Sequence, residues 1–231
     1  MPLASSRYIV SGGSGALGRT VTLALLGKGA RVAVPYRSAA AWEDLRRAAG
    51  DADRLFGRPA DIANAASAIG FTDDAVAAFG GLDGLAAVAG GYAGGATLER
   101  SDPGEWRRMM DANLETAHAL CRAALPHLLL RGGSVVTVAS RLAEAGGAGA
   151  AAYAVSKAGV LALTRVLALE NGPRGVRFNC VVPSIIDTQA NRSAMPAADR
   201  KSWTSPESIA AVIVYLLSPD SSAVNGSALN V

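Results

Sequence analysis

The sequence predicts an α/β fold, a doubly wound, seven-stranded parallel sheet flanked by helices, in a single domain. Three observations carry this. Short β-prone runs alternate with longer segments of helical period from one end of the chain to the other, the pattern of successive βαβ units. Half of the 231 residues are hydrophobic and only 18% are charged, enough to bury one large core and too apolar for disorder. No linker, repeat or low-complexity stretch divides the chain.

The strand runs are Tyr8–Ser11, Arg31–Pro35, Arg54–Gly57, Leu82–Val88, Ser134–Ser140, Val176–Pro183 and Ala228–Val231. Helices are predicted between them at Ala16–Gly29, Ala40–Ala49, Ala63–Phe79, Pro103–Leu130, Ala151–Asn171 and Pro206–Leu217. The fourth is marked at its start, because Ser101 or Asp102 can cap it and proline suits a first helical turn. Pro126 should bend or shorten its far end. In such a sheet, ligands bind at the C-terminal ends of the strands.

Composition excludes several partners. A net charge of +3 without a block of like charges gives no basis for binding nucleic acid or an anionic membrane. The N-terminus lacks the features of a signal peptide, and no uninterrupted apolar run reaches the 18 residues of a membrane span. Cys121 and Cys180 stand far apart, with no Cys/His cluster, so neither a disulfide framework nor a metal site is expected and a reduced cytoplasm is the default. Of the 22 cations only Lys28, Lys157 and Lys201 are lysine.

Directly after the first strand, Ser11-Gly12-Gly13-Ser14-Gly15-Ala16-Leu17-Gly18 opens a helix. Glycines in that place let the backbone turn tightly and approach a pyrophosphate, which the free N–H groups and positive end of the helix stabilise. The end of the second strand should then select the nucleotide. An acidic residue there would bond the ribose 2′-hydroxyl of NAD, whereas arginine would accept the 2′-phosphate of NADP. The segment reads Tyr36-Arg37-Ser38, with no carboxylate before Glu43, which favours NADP, with NAD as the alternative. In a chain whose cations are nearly all arginine, an ordinary surface role for Arg37 stays open.

Ser140 closes the fifth strand, Tyr153 follows 13 residues later, and Lys157 lies four further on. Residues four apart share one helix face, so Tyr153 and Lys157 can converge with Ser140. That trio suits carbonyl reduction, in which a hydride added to carbon needs a proton delivered to oxygen. Tyr153 would be the acid, Lys157 would lower its pKa, and Ser140 would polarise the carbonyl. One of only three lysines stands here in an Ala-rich apolar stretch, where a solvated cation would more naturally be arginine.

Together these motifs resemble the short-chain dehydrogenase/reductase family over essentially the whole chain, and a Rossmann fold with NAD(P)-dependent oxidoreductase activity is implied. The family's T-G-x-x-x-G-x-G falls on Ser11 to Gly18, with Ser11 for threonine and Ala16 for the middle glycine. On this likeness Gly12, Ser14, Ala16, Leu17 and Gly18 line the pyrophosphate, with Arg37 and Ser38 at the adenosine ribose and Asp61 and Ile62 beside the adenine. The family's N-N-A-G falls on Ala87-Val88-Ala89-Gly90, keeping only Ala89 and Gly90 for close cofactor approach. Asn113 matches the asparagine implied to hold a proton-relay water near the lysine, completing a catalytic set with Ser140, Tyr153 and Lys157. The P-G-x-x-x-T that holds the nicotinamide falls on Pro183-Ser184-Ile185-Ile186-Asp187-Thr188, with Ser184 replacing glycine; Pro183, Ile186 and Thr188 are its expected contacts.

Gly91-Tyr92-Ala93-Gly94-Gly95, Asn191-Arg192 and Ser202-Trp203-Thr204 are in turn similar to dihydropteridine reductases. Those enzymes use NADH, carry an acidic residue at the end of strand two and lack the serine, so Arg37 and Ser140 depart from them. Gly91, Tyr92, Ser184 and Trp203 are candidate substrate contacts; the two aromatics either wall a flat substrate or pack a loop and a helix start. The stretch from Thr188 to Pro206 should form a mobile lid. The expected function is an NADPH-preferring reductase of a small-molecule carbonyl or C=N substrate. The alternatives are an NADH-dependent dihydropteridine reductase-like enzyme and a non-catalytic dinucleotide sensor. The family likeness implies a homo-oligomer, dimer or tetramer, built through the fourth and fifth helices.

Overall fold

The computed structural model describes residues 3–50 and 53–231; Met1 and Pro2, part of the N-terminus read above, lie outside them. The strands are β1 (Arg7–Ser11), β2 (Arg31–Tyr36), β3 (Leu55–Pro59), β4 (Gly84–Ala87), β5 (Gly133–Val138), β6 (Val176–Val182) and β7 (Ala228–Asn230). They form one all-parallel, seven-stranded sheet in the order β3-β2-β1-β4-β5-β6-β7. The helices are α1 (Ala16–Gly27), α2 (Ala39–Ala49), α3 (Ala65–Phe79), α4 (Glu105–Met109), α5 (Thr116–Leu128), α6 (Leu142–Ala145), α7 (Ala151–Asn171), α8 (Gln189–Ala194) and α9 (Pro206–Leu217).

Side chains alternate across each strand, so one run of apolar residues feeds two cores. Val10, Val32, Val34 and Val136 pack with Leu25 of α1, Trp42 and Leu45 of α2 and Ile209 and Ile213 of α9. Ile9, Ala33, Leu85, Val135 and Phe178 pack on the other face with Phe71 of α3 and Leu120 and Leu128 of α5. The sheet is thus covered on both sides, as the sequence predicts. The chain winds outward through β2 and β3, then returns to start β4 beside β1. A crevice opens where the order reverses, at the C-terminal ends of β1 and β4.

Several boundaries shift for local reasons. Asn64 accepts from Ser67 N at 3.0 Å, so α3 starts at Ala65 rather than Ala63. Gly29 takes φ +88°, and α1 ends before it. The single helix expected over Pro103–Leu130 is three pieces. Asp102 Oδ1 accepts from Gly104 N at 2.9 Å, which makes Pro103-Gly104 a turn and delays α4 to Glu105. Met110–Glu115 is π-helical, and α5 then runs to Leu128 with Pro126 inside it. The short α6 and α8 were not expected, being four and six residues long.

Ala151–Arg174 is long and apolar enough, by length and composition, to cross a membrane, although Lys157, Arg165, Glu170 and Arg174 interrupt its apolar run. In the fold this stretch carries α7, which packs on β5 and β6 and buries Val160, Leu161, Thr164 and Ala168.

Candidate functional site

A cleft of about 1540 Å³ occupies the crevice. Its floor at one end is the turn between β1 and α1. Gly12 has φ +65°, and a Cβ there would sit 3.0 Å from Ala89 Cα. At Gly18 a Cβ would lie 2.0 Å from Gly12 O, an overlap no relaxation of a side chain relieves. Gly13 does not line the cleft; a Cβ there would strike Val34 at 2.7 Å, so its role is to let α1 pack on β2. Ser11 Oγ accepts from Ala89 N at 3.0 Å and ties the ends of β1 and β4 together. Gly15 precedes α1 without a side-chain cap, leaving the first-turn N–H groups for a ligand.

Gly12, Ser14, Ala16, Leu17 and Gly18 all line this end, as do Arg37, Ser38, Asp61, Ile62, Ala89 and Gly90. Arg37 is exposed just beyond β2. Ser38 Oγ accepts from Ala41 N at 3.3 Å and so caps α2 as well as facing the cleft. Asp61 Oδ1 accepts from Ala63 N at 3.2 Å, holding the turn after β3.

At the other end the segment just after β5, which ends at Val138 rather than at Ser140 as expected, delivers Ser140, and α7 delivers Tyr153 and Lys157, all three lining the cleft. Ser140 stands beside the Tyr153 phenol in the cleft lining. Burial pushes the phenol's pKa above the usual 10, Ser140 opposes that rise, and Tyr92 adds to it. The Tyr92 ring stands edge-on to Tyr153, with centroids 4.9 Å apart and planes at 71°. Lys157 is buried and donates from Nζ to Val138 O at 2.9 Å; desolvation pulls its pKa down to about 8. The expected lowering of the Tyr153 pKa by Lys157 is therefore absent from this structure. The four-residue spacing does put both on one face, but the lysine reaches down to the end of β5 and the polar group that acts on the phenol is Ser140.

Asn113 is buried and does not line the cleft. Its Oδ1 accepts from Gly91 N at 2.9 Å, and its Nδ2 donates to Gly91 O at 3.1 Å and to Ser156 Oγ at 2.9 Å. The π-helical stretch aims this side chain between the loop after β4 and α7. A Cβ on Gly90 would lie 2.6 Å from Asn113 Oδ1 and 3.0 Å from Lys157 Nζ, so glycine is required for the loop to close on both.

Pro183, Ser184, Ile186, Thr188, Gly91 and Tyr92 also line the cleft. Trp203 does not; its ring lies under the Arg200 guanidinium, 5.8 Å from centroid to Cζ, outside the cleft. Of two candidate aromatic walls, one is in place. The stretch after Thr188 is built rather than structureless. Thr188 caps α8, Ile186 bridges Thr204, and Ser184 Oγ bonds Thr204 Oγ1 at 2.8 Å, closing the base of the flap. Asn191 and Met195 face inward from it.

Sequence reasoning missed Arg108, Met109, Asp111, Ala112 and Glu115, one wall of the cleft, and Arg141 and Leu142 beside Ser140. The first group repeats at three- and four-residue intervals, a helical face that would have pointed to it once Asn113 was placed. Among the described residues, no group of three His, Cys, Asp or Glu side chains is arranged to hold a metal ion.

The family model described as enoyl-(acyl carrier protein) reductase matches residues 13–231. The chain is 33% identical over 251 residues to "Short-chain dehydrogenase/reductase ABA4" of Pyricularia oryzae, covering all of this chain and 92% of that protein. It is 34% identical over 235 residues to cis-4-hydroxycyclohexanecarboxylate dehydrogenase of Sinomonas cyclohexanicum, covering 96% and 93%. An NADPH-bound short-chain oxidoreductase from Pseudomonas aeruginosa, described as having an atypical catalytic center, superposes with a TM-score of 0.90 at 27% identity, covering 99% and 96%.

Proposed function

Since the chain belongs to the short-chain dehydrogenase/reductase family of oxidoreductases, we propose that it is an NADPH-preferring reductase of a small carbonyl compound. The observation that carries the reading is that Ser140, Tyr153 and Lys157 line one cleft, with the Lys157 Nζ held on Val138 O at the end of β5. A phenol whose pKa is raised by burial stays protonated at neutral pH, the form a reductase needs. A hydroxycyclohexanecarboxylate dehydrogenase among the relatives supports alcohol–carbonyl chemistry over C=N chemistry.

The glycine cradle fits a dinucleotide: the clearance at Gly12, Gly18 and Gly90 is space that any side chain would fill. When bound, the nicotinamide supplies the hydride. The α1 first-turn N–H groups hold the pyrophosphate, with Ser14, Ala16 and Leu17 around it. Arg37 and Ser38 hold the 2′-phosphate; an NADPH-bound neighbour and the lack of a carboxylate at the end of β2 support that choice over NAD. Asp61 and Ile62 border the adenine, Ala89 and Gly90 allow the backbone to approach, and Pro183, Ile186 and Thr188 face the carboxamide. Ser140 donates to the substrate oxygen, Tyr153 gives it a proton, and Lys157 holds positive charge below the ring as the phenolate forms. Asn113 acts as a positioning residue, locking the Gly91 backbone to α7 through Ser156. The Thr188–Pro206 flap closes over the substrate. The protein works in the cytoplasm as a homo-oligomer.

The test is NADPH consumption with a panel of ketones and a quinonoid dihydropterin. Wild-type protein should reduce ketones, and Tyr153→Phe should lose about 10²–10⁴ in rate while still binding NADPH. A Tyr153→Phe protein that turns over at the wild-type rate would reject the mechanism. Turnover confined to the dihydropterin would move the substrate to a C=N bond, for which Tyr92 beside Tyr153 is the aromatic wall.

A further inference from the structure

We propose that Arg141 is a substrate-recognition residue and that the substrate carries a carboxylate a few bonds from its reacting carbonyl; this rests on the reductase reading above. Arg141 follows Ser140 directly, so its Cα lies about 3.8 Å from that of the serine that meets the carbonyl oxygen. Its backbone is fixed: N donates to Pro183 O at 3.1 Å, and its own carbonyl accepts from Glu144 N and Ala145 N at 3.1 and 2.9 Å. The side chain lines the cleft and is exposed.

Away from the nucleotide end, where Arg37 stands, what sets it apart is that its guanidinium is unspent. Arg108, which also lines the cleft, is paired with Asp102 at 2.6 Å, and Arg192 on the flap is held by Asp187 at 2.6 Å. Among the described residues Arg141 has no ion pair and no side-chain hydrogen bond. Glu144, three residues on, neither bonds it nor lines the cleft. Tyr92, Leu142, Ser184, Ile185 and Met195 are uncharged members of the same cleft lining, and of its carboxylates, Asp61, Asp111 and Glu115, none pairs with Arg141. A fork of five donors in the cleft lining, without a carboxylate partner of its own, is complementary to a carboxylate, which it grips through two parallel bonds. The same contact would fix which face of the carbonyl is presented, because it adds a second anchor to the one at Ser140 and Tyr153.

Two measurements test this. Steady-state kinetics would compare 3-oxocyclohexanecarboxylate with its methyl ester. Wild-type kcat/KM should favour the acid by about 10- to 100-fold, the range of a charge-assisted bidentate pair. In Arg141→Gln that ratio should fall to near one, and Arg141→Lys should restore part of it. A ratio that is the same in wild type and Arg141→Gln overturns the proposal while leaving the reductase reading intact. Calorimetric titration of the protein–NADP⁺ complex with benzoate and with benzamide needs no turnover. Benzoate should bind at least tenfold more tightly in wild type and lose that advantage in Arg141→Gln. Equal binding of the two overturns the anion site, whereas a benzoate preference that depends on Arg141 without ketone reduction sustains it and rejects the reaction instead.

Discussion

Replacing Lys157 by methionine should stabilise the folded protein at neutral pH and destabilise it at high pH. The lysine is buried, and desolvation brings its pKa from 10.5 down to about 8. Each tenfold change in proton affinity is worth about 1.4 kcal/mol, so holding the ammonium in the core costs about 3 kcal/mol at pH 7 relative to a solvated one. The sign follows from proton counts. Between pH 8 and 10.5 the unfolded chain binds the proton more tightly than the folded one, so wild-type stability rises with pH across that window and is lowest below 8. Methionine removes the burden but leaves Val138 O, now the acceptor at 2.9 Å, without its donor, which costs about 1 kcal/mol. The net for Lys157→Met is a gain of about 2 kcal/mol at pH 7 and a loss of about 1 kcal/mol at pH 10.5. Urea unfolding without nucleotide, at a series of pH values, reads both numbers. A variant less stable than wild type at pH 7, or a difference that does not change between pH 7 and 10.5, would refute the reasoning. Turnover should be lost throughout, so the residue that limits stability is the one the chemistry requires.

Two further outcomes are expected. Arg37→Asp should lower the kcat/KM ratio of NADPH over NADH by about 100-fold, since it replaces attraction for a 2′-phosphate by repulsion; an unchanged ratio would return Arg37 to an ordinary surface role. Arg177 on β6 donates to four carbonyls, from Nη1 to Ser221 and Val224 at 2.9 and 3.0 Å and from Nη2 to Leu216 and Ser218, both at 3.1 Å. Arg177→Met should therefore cost about 3 kcal/mol and about 6–12 °C in Tm by scanning calorimetry, while kcat at 25 °C stays near wild type.

The fold was legible because burial on both faces leaves a distinct mark: strands such as Tyr8–Ser11 read as continuous apolar runs, and α7 and α9 begin and end where their patterns do. What escaped is local. A π-helical turn has the same apolar face as an α-helix on either side of it, so nothing in Met110–Glu115 announces the extra residue that aims Asn113 at Gly91. The turn at Pro103-Gly104 was hidden because Asp102 and proline form an equally good helix start by pattern, and only the hydrogen bond from Gly104 N decides between them. Trp203 was open between a substrate wall and local packing, and only the structure decides for the second, with its ring under Arg200.

Among the site residues, the choice of lysine at 157 can now be explained physically. The chain uses arginine for nearly every cation, and a guanidinium at that position could neither shed its proton nor satisfy five donors at the end of β5. An ammonium needs fewer partners, is met by the Val138 carbonyl, and can approach neutrality at a pKa of about 8. Gly90 stands on the same ground, since a Cβ there would lie 3.0 Å from the lysine Nζ and 2.6 Å from Asn113 Oδ1. Lys157, Gly90 and Asn113 are thus one packing unit. Enlarging Gly90 would press on the ammonium and on the clamp that holds Gly91 at once, which places the burden of this site on steric clearance as much as on charge.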